Sequence, residues 1–155
     1  MTEIRLAAKE DLDQISRLQA QAAALHHQAR PGVYPPFSPA LTQEALKLWE
    51  NPAAEVIVAL RDGAAAGYAV VFYREIPSSP HSAARRVCHI EEFAVDETCR
   101  RQKIGAQLFA FIKARAKEKG FSQIQLNVWD FNQPALAFYQ SMGFKPFRHS
   151  MECQI

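Results

Sequence analysis

VCHIEEFAVDETCRRQKIGAQLF, residues 87–109, is the stretch that decides the fold. An apolar run closes at Val95, a polar turn follows, and from Lys103 to Lys119 the apolar residues Ile104, Leu108, Phe111 and Ile112 recur at helical spacing. A strand that feeds a helix through a basic turn is an anion trap. The first turn of a helix leaves backbone N–H groups without intrahelical partners, and they carry a partial positive charge along the axis. Arg100, Arg101, Gln102 and Lys103 add donors, and Gly105 lets a ligand approach the backbone with no Cβ in the way. A pyrophosphate suits such a turn. The standard nucleotide fingerprints are absent, because no GxGxxG follows Val95 and no GK[ST] closes the turn.

Upstream, Glu3 to Leu6 read as a short strand, and Asp11 opens a helix whose Leu12, Ile15, Leu18, Ala22 and Leu25 make one buried stripe. RPGVYPPFSP holds four prolines between Pro31 and Pro39 and predicts an extended connection. Ser38 then caps a second helix with Pro39 in its first turn and Leu41, Ala45, Leu48 and Trp49 inside, ending at Asn51 and Pro52. EVIVAL (55–60) and GYAVVFYREI (67–76) form a hairpin about Arg61-Asp62-Gly63, and the loop 76–86 borders a site rather than joining the sheet. The strand 87–95 comes next. Downstream of the long helix, Gly120 is the stop, FSQIQLNVW a strand, Pro134 to Met142 a short helix and FKPFRHSMECQI (144–155) a final strand. The order β α α β β β α β α β, without internal repeats, predicts an α/β (α+β) class: a mixed sheet with helices on both faces.

Composition bounds what such a chain does. The 155 residues suit one domain spanning 1–155, and 18 Lys plus Arg against 16 Asp plus Glu leave a net charge of only +2. The broad basic field of many nucleic-acid binders is missing, so anion recognition has to be local. The N-terminal residues MTEIRLAAKEDL lack a basic segment followed by an apolar run, and nothing approaches a membrane span, which reads as cytoplasmic. Cys88, Cys99 and Cys153 are an odd number with no CxxC spacing, and His26 and His27, adjacent on a helix, point about 100° apart. No disulfide framework and no metal are expected.

LNVWDFNQPALAFYQSMGF, residues 126–144, narrows the reading. A strand followed by Asn132, Ala135, Phe138-Tyr139 and Gly143-Phe144 resembles the later block of the GNAT N-acetyltransferase superfamily. Residues 87–109 resemble its acetyl-CoA block, strand-Val-Asp-x-x-x-Arg-x-x-(Gly)-Ile-Gly, and IRLAAKEDLDQI (4–15) resembles its first strand and helix. The resemblance covers nearly the whole chain and implies a mostly antiparallel sheet. One position departs: Lys103 stands where the family usually has its first glycine, and a helical backbone there would tolerate the side chain.

The resemblance implies acetyl-CoA as cofactor, CoA as product and an amine-bearing acceptor. Phe93, Ala94 and Val95 would offer backbone groups to the pantetheine arm, and Arg100, Arg101, Gln102, Lys103, Ile104, Gly105 and Ala106 would wrap the pyrophosphate. Asn132, Ala135 and Phe138 would lie beside the cofactor, with Tyr139 as general acid. Direct transfer in a ternary complex then needs a base, for which Glu91 is favoured with His89 as its partner or substitute. Strand alternation puts His89, Glu91 and Phe93 on one face and Ile90, Glu92 and Ala94 on the other if no bulge intervenes. Read as ordinary structure, Glu91 and Glu92 are a surface charge pair and Tyr139 is a core residue.

The acceptor region is expected from the first two helices and the loop 76–86, with His26, His27, Arg30, Tyr34, Tyr73, Glu75, His81, Arg85 and Arg86. That set fits a small amine, an amino acid or a peptide end. A non-catalytic acyl-CoA-binding regulatory module is the rival reading; it would not need Tyr139 or Glu91. Nucleic acid and membrane are not expected partners, the cysteines are expected to be structural, and the sequence leaves a homodimer open.

Overall fold

The turns set the sheet. In the computed structural model, which describes residues 1–155, β1 (Thr2–Leu6) pairs antiparallel with β2 (Ala54–Arg61), β2 with β3 (Ala64–Ile76) and β3 with β4 (Arg85–Val95). The β2–β3 turn is Asp62-Gly63, both left-handed with φ of 52° and 80°, the backbone that a tight hairpin needs. Strand β5 (Ile124–Leu126) runs parallel to β4, and a parallel pair requires a crossover, here the helix α3 (Ile104–Glu118). The sheet order is β1-β2-β3-β4-β5, mixed and mostly antiparallel.

Each face of the sheet is covered. Ile15 and Leu18 of α1 (Leu12–Ala29) pack on Val56, Val58, Leu60, Tyr68 and Val70, with Leu48 and Trp49 at the end of α2 (Pro39–Leu48) beside them. On the opposite face Ile104, Leu108, Phe109 and Ile112 of α3 pack on Ile57, Ala69, Val71, Cys88 and Ile90. Met142 and Phe144, which follow α4 (Gln133–Ser141), close that second core. No helix is long and apolar enough to cross a membrane.

Several local expectations change. Leu25 is exposed, so the buried part of α1 narrows to Ile15, Leu18 and Gln19. Ser38 sits at the cap of α2, but its side chain makes no capping bond, and Leu41 inside that helix is exposed. Strands β3 and β4 extend to Ile76 and Arg85, so Arg85 and Arg86 belong to the sheet and the connection shrinks to residues 77–84. The strand expected across 121–129 is confined to Ile124–Leu126. The final strand over 144–155 does not form in the chain: no backbone group from Lys145 to Ile155 bonds to another backbone group, and a strand without a ladder partner is not a strand.

Candidate active site

The site grows from a parting of strands. β4 and β5 pair only through Cys88–Ile90 and Ile124–Leu126, after which β4 continues to Val95 without its neighbour. A bulge marks that point. Val70 faces Glu92 while Val71 faces Ile90, which leaves Glu91 as the extra residue. Asp96 donates its N–H to the Ala66 carbonyl (2.8 Å), so by strand alternation the N–H and C=O of Phe93 and Val95 turn away from β3, into the open gap.

The bulge re-aims the carboxylates. His89, Glu91 and Phe93 do not share one face: Ile90 and Phe93 both pack with the α3 core, while Glu92 turns to the α1 side. His89 and Glu91 nevertheless meet, with Nε2 3.3 Å from a Glu91 oxygen and Arg74 3.7 Å from the same carboxylate. Burial and the Arg74 charge hold the imidazole below its ordinary range against the pull of Glu91.

Glu92 is the residue that sequence reading passed over. Burial raises its pKa, opposed by hydrogen bonds from Gln19 and Tyr68, and no Lys or Arg pairs with it. Gln19, only 2% exposed, donates to Glu92 through Nε2 (3.3 Å) and leaves its Oε1 without a partner. Glu92 is half-buried, and the Gln19 Oε1 beside it is shielded from solvent and has no partner. A glutamine among the apolar residues of α1 was the available signal.

At the mouth of the gap the chain turns from β4 into α3. Asp96 anchors this turn by accepting Arg17 from α1 and the Thr98 N–H and hydroxyl (2.9 and 2.7 Å). Burial raises the Asp96 carboxyl, but these donors outweigh it and hold it at about 2. Arg101 and Lys103 then adopt left-handed backbones, φ 64° and 63°. The expected helical conformation at Lys103 is therefore wrong: this position requires φ > 0, which explains why glycine suits it. Ile104, Gly105 and Ala106 precede the first helical bond, made by Gln107 to the Lys103 carbonyl (3.0 Å). Arg100, Arg101 and Lys103 enter no ion pair.

Gly105 also makes room within the protein. A Cβ there would stand 3.1 Å from the Phe138 ring and 3.6 Å from Val95, so the missing side chain admits Phe138. Phe138 and Tyr139 of α4 both reach Phe93, with ring centroids 5.6 and 6.0 Å apart. Burial pushes the Tyr139 phenol up to about 12, so it keeps its proton through the physiological range. Asn132 caps α4, its side-chain oxygen accepting the Ala135 N–H at 3.3 Å, which leaves its amide donors free.

An aromatic cluster joins the end of α1 to the segment after β5. Tyr34, from the α1–α2 connection, packs edge-on to His26 (5.0 Å) and Trp129 (5.7 Å), and Phe131 joins both His26 and Trp129. Arg30 lies 4.6 Å above Trp129, and His27 bonds the Tyr34 carbonyl through Nδ1. Trp129 and Phe131 had no signal beyond their bulk. The other expected acceptor residues lie elsewhere: Glu75 pairs with Arg86, which caps Phe121, while Lys119 lies over Tyr73. That group and the loop with His81 sit towards the Ile76–Arg85 end of the strands, opposite the Gly67–Val95 end that leads to the turn.

Residues 20–144 match the family model described as the acetyltransferase (GNAT) family, and the chain belongs to that family. L-ornithine N5-acetyltransferase NATA1 of Arabidopsis thaliana is 28% identical over 124 residues, 78% of this chain and 53% of that protein, so the chain spans about half the length of this relative. A crystal structure of a tetramutant of the BH1408 protein from Bacillus halodurans shares 27% identity over 99% of each chain, with TM-score 0.95. AAC(6')-Iy, in complex with a CoA-linked bisubstrate analogue, shares the fold at 17% identity and TM-score 0.79, covering 100% of this chain and 98% of that one.

Proposed function

We propose that the protein transfers an acetyl group directly from acetyl-CoA to a primary amine on an acceptor that carries further positive charge. The observation that carries the reading is the α3 entrance: free N–H groups at Ile104, Gly105 and Ala106 beside three unpaired cations, at the open end of the β4–β5 gap. These residues fit a pyrophosphate, and the outward N–H and C=O of Phe93 and Val95 fit an amide-bearing arm laid along the gap. Acetyl-CoA, when bound, supplies the activated thioester.

The protein's own part is positioning and proton handling. The neutral His89 imidazole lies 3.3 Å from the Glu91 carboxylate, and this pair takes the proton that the acceptor amine must lose, directly or through water. Tyr139, protonated and beside Phe93, gives its phenolic proton to the departing sulfur. Glu92, oriented by Gln19, holds a second cationic group of the acceptor, and the side chains of His26, Tyr34, Trp129 and Phe131 cover its carbon skeleton. Support for a charged acceptor comes also from the relative named for ornithine, itself a diamino acid.

A thiol-release assay with acetyl-CoA and a panel graded by charge tests this: monoamines, diamines, diamino acids and peptides. Diamines and diamino acids are expected to exceed the matched monoamines in kcat/KM by about tenfold or more, the worth of one charge-assisted contact. Equal kcat/KM across the panel would remove the second-cation site. No release with any amine, alongside tight CoA binding, would favour the acyl-CoA-binding module.

A further inference from the structure

We propose that Arg30 is a carboxylate site for the acceptor, so that the amines acetylated in the gap also carry a carboxylate, and that Glu152 of the chain's own tail fills this site when no acceptor is bound. Helix α1 brings Arg30 to the gap. Gln19 bonds to Glu92 on β4, whereas His26 and Arg30, about two to three turns further on, pack on Phe131 and Trp129 of the segment that continues β5. The helix therefore crosses from one side of the parting to the other, and Arg30 stands at its C-terminal end.

The guanidinium is set up to grip a carboxylate. It lies 4.6 Å over the Trp129 ring, and that indole is held in turn by the bond from its Nε1 to the Tyr34 hydroxyl. A guanidinium stacked on a ring keeps its edge of N–H donors free, the fork that matches carboxylate oxygens. One carboxylate is already there: Glu152 Oε1 accepts from Nη2 at 2.6 Å, the single hydrogen bond and the single ion pair of the Arg30 side chain. Glu152 is easily displaced. The same bond is the only one that joins residues 145–155 to the rest of the chain, and its two side chains are 29% and 63% exposed. An exposed ion pair of this kind adds little stability, so an acceptor that brings its own carboxylate can take the place of Glu152. This assignment rests on the acetyl-transfer reading but not on Glu92, because a carboxylate and a second ammonium can be varied separately.

Pairs of acceptors that differ only in the carboxylate test it: a diamino acid against its amide, and an ω-amino acid against its amide. Each is assayed with acetyl-CoA and also titrated by calorimetry into the CoA complex, where no transfer occurs. The acids are expected to exceed the amides in kcat/KM and in affinity by about tenfold or more. Arg30→Gln should bring both ratios to about one, Arg30→Lys should keep part of them, and Glu152→Gln should raise the affinity of acid over amide by up to about fivefold. Acid and amide bound alike by the parent protein would overturn the proposal. So would a preference that survives Arg30→Gln, or one that falls in Glu152→Gln. Calorimetry separates this from failure of the reaction: a carboxylate preference without transfer leaves the Arg30 site and removes acetyl transfer, whereas transfer without the preference does the reverse.

Discussion

Lys103 holds a left-handed backbone, φ 63°, that costs an L-residue with a Cβ about 1–2 kcal/mol relative to glycine. Lys103→Gly is therefore expected to raise the Tm while weakening CoA binding through loss of a cation at the anion entrance, a pair of effects that calorimetry and thermal unfolding read separately. Tyr139 presents the opposite case: its hydroxyl makes no hydrogen bond within the chain, so Tyr139→Phe should leave stability and CoA affinity nearly unchanged. Single-turnover transfer should fall by about 10²–10⁴, and a rate within about twofold of the parent would make Tyr139 a packing residue. The pH dependence follows from His89. Its folded pKa is lowered, so the neutral base persists below the ordinary value of 6.5. The acid limb of kcat should accordingly lie below pH 6.5, with no alkaline limb from Tyr139 before about 12. A limb above 6.5 assigned to His89 by its loss in His89→Gln would show that the pull of Glu91 outweighs burial and the Arg74 charge, and would contradict the lowered pKa.

At the scale of elements, two joints hold the site. α1 is tied to the turn before α3 by Arg17 and Asp96, and α4 is seated on α3 by Phe138 over Gly105. The Asp96 carboxyl titrates at 3.8 unfolded and about 2 folded, so its stabilisation is complete above 3.8 and is lost as the pH falls through about 2. Asp96→Asn should show a smaller loss of Tm than the parent between those two values, although it starts less stable at neutral pH. Gly105→Ala puts a methyl 3.1 Å from the Phe138 ring, and crowding of this kind costs about 1–3 kcal/mol. The variant should lower the Tm and, by displacing α4, reduce kcat more than CoA affinity; an unchanged Tm would show that the ring yields freely. Both joints were partly legible, since the Val-Asp and Ile-Gly positions flank the basic turn, but the contacts that explain them cross between elements and leave no local pattern.

Over the whole molecule, spacing revealed the order of strands and helices and the basic turn, because periodicity and turn residues are local. The bulge at Glu91 was not legible: a single inserted residue exchanges the faces of Glu92 and Phe93 relative to His89, and no side chain there announces it. It likewise hid Glu92; that Tyr73, Glu75 and Arg86 lie at the opposite strand end from His26, Arg30 and Tyr34, which pack with Trp129, follows from register and crossing contacts that leave no local pattern. The final strand shows a different limit, since alternation from Phe147 to Ile155 reveals what a segment is suited to, while a strand forms only where a ladder partner exists, and none is bonded to it in this chain. The central claim is direct transfer between two bound substrates, and it is tested by mixing the enzyme with one equivalent of acetyl-CoA and a diamine and following protein and amine together by mass spectrometry within a single turnover. The account predicts that the acetyl group appears on the amine as CoA is released, with the protein mass unchanged throughout. An acetylated protein that forms first and then decays into acetylated amine, abolished by substitution of Cys99 or Cys153, would contradict it.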